Sequence, residues 1–319
     1  MTQIKGFVPA ENTKDGLGVH SLDRFVLAVP DLQEAHRFHT AFGLEVREEH
    51  GNLSLFTFGH KHRWGSVVEG SAKKIQHLSF GTYEEDLPRF AQRLQETGIQ
   101  RLEAPAGFES NGIWFRDHDN RLIEIRVAEK SSPNEKTPPV FSSAVAGVRG
   151  APFRNQAKRT TPSRLAHMLL FTRDVDQAVN FYNRVLGLKL SDRSGNDIAF
   201  MHGIHGSDHH MIAFAKSDRP GLHHTSWDVS SMQEIGLGAI QMADKGYSDG
   251  WGLGRHVLGS NYFHYVKDPW GSYCEYSCDM DYIPAGLEWD VGDHGGEDAF
   301  YVWGPTPPAD FTINKEFKN

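Results

Sequence analysis

The chain repeats itself, and that repeat limits what it can fold into more than any other feature. Residues 24–46, RFVLAVPDLQEAHRFHTAFGLEV, and residues 167–189, HMLLFTRDVDQAVNFYNRVLGLK, each hold an apolar run, a closing Asp, an amphipathic stretch and a Gly-Leu exit. The order reads as strand, helix, strand. Asp31 and Asp174 suit the helix N-cap, and Gly43 and Gly187 suit the left-handed residue just past the helix end. The likeness continues from KIQHLSFGT at 74–82 to GLHHTSWDVS at 221–230, each followed by a second helical pattern. Each half closes with a hairpin, turning at 117–120 in one and at Asp-Pro-Trp-Gly, 268–271, in the other. From turn Asp to following Glu is seven positions in both, Asp117 to Glu124 and Asp268 to Glu275. Strand register is therefore kept across the duplication, and the pattern predicts an α+β fold of tandem βαβββ modules.

The boundaries follow from composition. Residues 1–20 form an N-terminal extension, 21–130 an N-terminal module, 131–162 a linker continuing a Pro- and Ser-rich stretch, 163–283 a C-terminal module and 284–319 a tail. The tail, with prolines at 284, 305, 307 and 308, is read as irregular, and either covers a pocket or packs on the outer surface. No segment approaches the ~20 apolar residues of a membrane span, and the start lacks a basic stretch followed by an apolar run, so a soluble, cytoplasmic protein is expected. A net charge of -8 without a basic run argues against nucleic acid. Cys274 and Cys278 fall on the same side of a strand, which disfavours a disulfide. The Gly-rich GWGLGR at 250–255 lacks the dinucleotide-binding pattern, so no organic cofactor is implied.

Eighteen histidines raise a metal hypothesis without locating it. Three strand patterns, LAHMLLF, HHTSWDV and SYCEYSC, each contain a ligand-type side chain: His167, His224 and Glu275. A lone His in an apolar strand is ordinarily a hydrogen-bonded core residue. A Glu there is harder to dismiss, because a carboxylate is seldom buried without a pairing charge or a metal. Two imidazoles and one carboxylate with open positions form the facial triad of non-haem Fe(II) oxygenases.

The segments HMLLFTRDVDQAVNFYNRVLGLKLSD, HHMIAFA, LHHTSWDVSS and GRHVLGSNYFHYVKDPWGSYCEY resemble the type I extradiol ring-cleaving dioxygenases of the vicinal oxygen chelate superfamily, over about residues 20 to 283. The resemblance implies two domains, each of paired modules forming curved mixed sheets, and homo-oligomeric assembly. It selects His224 over neighbouring His223, and implies Fe(II), or less often Mn(II), on His167, His224 and Glu275. It further implies that His210 serves as acid/base beside the O2 site, and that His256 and Tyr265 hydrogen-bond the substrate. A catechol-type or trihydroxybenzene-type ring would be opened beside its hydroxyls by O2. The N-terminal module keeps His77 and Glu124 but has Arg24 at the place of His167, so it reads as a degenerate, non-catalytic site in which Arg24 pairs with Glu124 or the other two residues lie exposed.

Other readings stay open at this level: a glyoxalase-like isomerase, a thiol transferase, or a non-catalytic small-molecule-binding protein. The His-rich HGIHGSDHH at 202–210 is read as a polar loop rather than a second metal cluster. The tail lacks the arginines with which homoprotocatechuate-cleaving relatives hold a carboxylate, which favours neutral catechols, with Trp251, Phe263 and tail aromatics as pocket walls.

Overall fold

The computed structural model describes residues 16–108, 110–141 and 144–316, so most of the N-terminal extension lies outside the described residues. The first half runs β1 (Ser21–Val29), α1 (Leu32–Phe42), β2 (Glu45–Glu49), β3 (Asn52–Phe56), β4 (Arg63–Glu69), β5 (Lys74–Thr82), α2 (Leu87–Glu96), β6 (Ile113–Arg116) and β7 (Leu122–Val127). The second runs β8 (Arg164–Thr172), α3 (Val175–Leu186), β9 (Lys189–Ser194), β10 (Ile198–His202), β11 (Ser207–Asp208), β12 (Ile212–Lys216), β13 (Gly221–Asp228), α4 (Met232–Ala243), β14 (Gly250–His256), β15 (Tyr262–Lys267) and β16 (Tyr273–Cys278). A short β17 (Tyr282–Ile283) ends this half, and the tail adds β18 (Gly292–Asp293) and β19 (Tyr301–Trp303).

Each half builds one mixed sheet from two βαβββ-like units. The orders are β2-β3-β4-β1-β5-β7-β6 and β18-β9-β10-β12-β8-β13-β16-β15-β14-β19. In both, the first strands of the two units meet antiparallel at the centre, β1 on β5 and β8 on β13. The expected caps form. Asp31 and Asp174 accept from the backbone N–H of Glu34 and Gln177, and Gly43 and Gly187 end their helices at φ 101° and 74°. The tail is more ordered than its prolines suggest. Its β18 pairs with β9 and its β19 with β14, so it straps both edges of the larger sheet and covers their unpaired backbone groups.

One apolar core runs through both halves. Phe42 stacks on Tyr276 at 3.9 Å between ring centroids, and the Tyr276 hydroxyl donates to the Phe42 carbonyl at 2.7 Å. Buried Lys73, just before β5, meets Asp268 of the β15–β16 turn at 2.5 Å. Asp268 also holds that turn, accepting from the backbone N–H groups of Trp270 and Ser272. Removing one partner of such a pair strands the other charge in the interior, so K73M should lower unfolding free energy by about 3 kcal/mol or more in urea titrations.

Several histidines serve this core as neutral side chains. Burial pushes His20, His39 and His77 each down to about 4. Between that value and the ordinary 6.5 the unfolded chain binds protons that the folded chain refuses, so stability rises with pH across this window. Urea midpoints should therefore be highest above pH 6.5 and fall as pH drops from 6.5 to 4, with a shallower slope in H39Q.

Candidate metal centre

Strand pairing lines up a row of side chains across the larger sheet. Ser226 of β13 lies opposite His167 of β8 on one side and Glu275 of β16 on the other, and Glu275 lies opposite Tyr265 of β15. Directly paired residues share a face, and His224, two positions from Ser226, shares it too. Three adjacent strands thus deliver two imidazoles and a carboxylate to one spot. His167 Nε2 and His224 Nε2 are 3.0 Å apart, and Glu275 Oε2 is 3.3 Å from the first and 3.5 Å from the second. All three residues are buried, Glu275 completely. They are the one cluster of metal-ligand type among the described residues.

Whether this cluster fits a metal can be tested inside the molecule, because the first half repeats the row. Arg24, Ser79, Glu124 and Trp114 pair across β1, β5, β7 and β6 just as His167, Ser226, Glu275 and Tyr265 do. Both Glu124 oxygens are taken by hydroxyls, those of Ser79 and Ser110. Arg24 is held by Asp23 at 2.7 Å, so the expected Arg24–Glu124 pair does not form, and His77 and Glu124 are buried rather than exposed. His77 packs edge-on against Phe108 and Trp114. In the second half Glu275 Oε2 makes no hydrogen bond although it is buried. A bare carboxylate oxygen facing two imidazole nitrogens is costly unless a cation sits among them. Two donors about 2.1 Å from one ion and at right angles lie about 3.0 Å apart, close to the spacings found. The second-half cluster fits a divalent metal, and the first-half one does not.

The neighbours set each donor's orientation. Asn261 Nδ2 donates to Glu275 Oε1 at 3.2 Å. His223 Nε2 faces the Phe311 carbonyl at 2.8 Å and can only donate there, so with neutral rings its Nδ1 accepts from His224 Nδ1, 2.7 Å away. The His224 Nε2 lone pair is then free to bind a metal. Burial, with repulsion from His223 and His167, pushes His224 well below the usual histidine range. Burial pushes the Glu275 carboxyl up, but the facing His167 and His256 outweigh it and hold it low.

The cluster opens on a cavity of about 520 Å³ that His210, His256 and Tyr265 also line. His256, at the end of β14, donates from Nδ1 to the Phe300 carbonyl and accepts the Tyr265 hydroxyl at Nε2, both at 2.8 Å. Burial and the nearby Glu275 raise the Tyr265 phenol well above 10, so it stays protonated. His210 stands 4.2 Å from His167 between ring centroids, and burial drives it well below the usual range. Leu169, Phe171, Ile198, Phe200 and Leu258 supply apolar wall, and the tail closes it with Ala299, Phe300 and Phe311. Trp251 and Phe263 do not line the cavity. They stack behind the rings that do, Trp251 against Tyr265 and Phe263 against His256.

Sequence reasoning sets His223 aside as the unselected neighbour of His224 and gives no role to Asn261, His209 or Asp192. The two His-His dipeptides were the available signal. The segment 202–210, expected as a polar loop, is buried at His202, Asp208, His209 and His210 and includes the short strand β11.

Comparison with known proteins agrees with this architecture. Residues 164–276 match the model of the Glyoxalase/Bleomycin resistance protein/Dioxygenase superfamily. The chain is 48% identical to Metapyrocatechase 2 of Cupriavidus necator over 298 residues, 93% of each protein. Among solved structures, a variant of homoprotocatechuate 2,3-dioxygenase from Brevibacterium fuscum superposes with TM-score 0.76 at 17% identity, covering 97% of this chain and 85% of that one. A Mn(II)-bound glyoxalase from Novosphingobium aromaticivorans gives 0.73 at 23%, covering 91% and 93%. With this repeat, this cluster and that extent of identity, the chain belongs to the extradiol dioxygenases of the Glyoxalase/Bleomycin resistance protein/Dioxygenase superfamily.

Proposed function

We propose that the protein opens catechol-type rings beside their hydroxyls with O2, and that His167, His224 and Glu275 hold Fe(II) for this reaction. The observation that carries the reading is the bare Glu275 Oε2 set against two imidazole nitrogens on the wall of an otherwise largely apolar cavity. Three protein donors leave coordination positions for a chelating substrate and for O2. When bound, the metal lowers the pKa of a chelated substrate hydroxyl and brings O2 beside the ring.

The protein's own groups then divide the work. The Tyr265 hydroxyl, kept protonated and backed by His256, positions a substrate oxygen by hydrogen bonding. His210, on the same cavity, takes a proton from the substrate and returns it as the ring opens. Leu169, Phe200 and Leu258 keep the site dry and favour substrates whose substituents are apolar or absent. The glyoxalase-like alternative calls for a fourth protein ligand, and the described cluster has three.

Two measurements test the reading. Anaerobically reconstituted protein should bind about one Fe(II) per chain and consume O2 with catechols, giving a coloured ring-opened product. H224A should lose at least about 100-fold in metal affinity and all turnover, and an active H224A protein would sink the assignment. Parallel loading with Mn(II) decides between the two metals by the activity each supports. In a substrate panel, alkyl- and aryl-substituted catechols should exceed carboxylate-bearing ones in kcat/KM by about tenfold or more, because a buried carboxylate on an apolar wall forfeits its solvation.

A further inference from the structure

The buried His-rich segment contains a chain of hydrogen bonds that the proposed reaction does not yet use. It starts at Asp192 on β9, whose carboxylate is almost fully buried. Asp192 Oδ2 lies 2.8 Å from His209 Nε2, and His209 Nδ1 lies 3.0 Å from His210 Nδ1. Asp192 is also gripped by the tail: Oδ1 accepts from the Gly292 backbone N–H and from His294 Nε2, both at 2.8 Å, and Oδ2 from Trp289 Nε1 at 3.2 Å.

We infer that Asp192 and His209 are positioning residues that fix the tautomer of His210, so that His210 presents an unprotonated Nε2 to the cavity. The inference rests on His210 acting as the acid/base of the proposed reaction. The logic is directional. An ionised carboxylate only accepts, so the shared proton at Asp192 belongs to His209 Nε2. A neutral His209 then has a bare Nδ1, and the proton between the two rings belongs to His210 Nδ1. Nε2 is what remains for the cavity, and when it takes a proton the imidazolium of His210 is stabilised through His209 by the Asp192 carboxylate, which stays ionised. This is the arrangement by which a buried Asp orients a catalytic imidazole in hydrolytic triads, here with one imidazole inserted. Gly259 leaves the room it needs: at φ +87° its α-carbon lies against both rings, where an added β-carbon would stand 3.2 Å from His210 and 3.4 Å from His209. Because three tail groups hold Asp192, the tail that closes the cavity also anchors the base inside it.

The same geometry says what D192N does. The Gly292 N–H and His294 at 2.8 Å hold the Oδ1 position more closely than Trp289 Nε1 holds Oδ2 at 3.2 Å, so the amide oxygen settles at Oδ1, the amide NH2 takes the place of Oδ2, and the weaker Trp289 bond is given up. That NH2 donates to His209 Nε2. The proton of His209 moves to Nδ1, His210 must accept there, and His210 now carries its proton on Nε2, facing the substrate.

The experiment reads tautomers directly, by long-range proton–nitrogen NMR of full-length protein labelled with 15N-histidine and loaded with diamagnetic Zn(II), at pH 7.5. Resonances are assigned by their loss in H209Q and H210Q. The wild type should show His209 protonated at Nε2 and His210 at Nδ1. A wild-type His210 protonated at Nε2, or a His209 imidazolium, overturns the inference whether or not any variant folds. D192N should invert both rings and, loaded with Fe(II), lower kcat about 100-fold or more while KM for catechol and metal content stay within about threefold. A folded D192N protein with unchanged tautomers or unchanged kcat also overturns it. The nitrogen spectrum needs no turnover, so a wild type with the expected tautomers but no ring cleavage would remove the cleavage reading alone.

Discussion

Burying a carboxylate with no solvent contact and one unbonded oxygen costs several kcal/mol unless positive charge is supplied, and the second half of the molecule is arranged around that cost at Glu275. One oxygen receives Asn261. The other faces the ring nitrogens of His167 and His224 at 3.3 and 3.5 Å. The metal proposed for this cluster would supply the missing positive charge. The duplicated half shows the other solution to the same problem, with two serine hydroxyls satisfying Glu124 and no cation required.

The sheet does the positioning. Neighbouring strands lie about 4.8 Å apart, and paired residues on one face keep that spacing along the row. Side chains from β8, β13 and β16 therefore converge without help from loops, whose mobility would blur the donor positions. Loops and tail supply what the sheet lacks. They bring carbonyls at Phe300 and Phe311 that orient His256 and His223, and apolar surface that closes the cavity. Hydrogen-bond direction thus passes from backbone through an outer imidazole to the group that meets metal or substrate.

The repeat made much of this readable in advance. Period-two strands, Asp caps, exit glycines and the constant Asp-to-Glu spacing placed β1, α1, β8, α3 and both hairpins, and singled out Glu275 with its partners. The resemblance added His210, His256 and Tyr265, which the fold brings to one cavity. Less legible were features that depend on distant segments. The tail's prolines suggested irregular chain, yet it pairs with both sheet edges, because free edge groups there stabilise short strands that no local pattern encodes. Trp251 and Phe263 looked like pocket walls from composition, but β14 and β15 put them one layer behind.

The amino-acid sequence by itself determined the duplicated module, the strand registers and the choice of ligand-type residues, because hydrophobic period and turn chemistry act over a few neighbouring positions. Only the tertiary structure decided that Glu275 keeps a bare oxygen while Glu124 does not, that Arg24 turns to Asp23, and that Asp192 and the tail reach His210 through His209. Apart from the neighbour contacts Arg24–Asp23 and His209–His210, those outcomes depend on which side chains meet at sequence separations such as 14 for Asn261 and Glu275 and 102 for His294 and Asp192, and the proximity that creates them arises only when the sheets close on a common core.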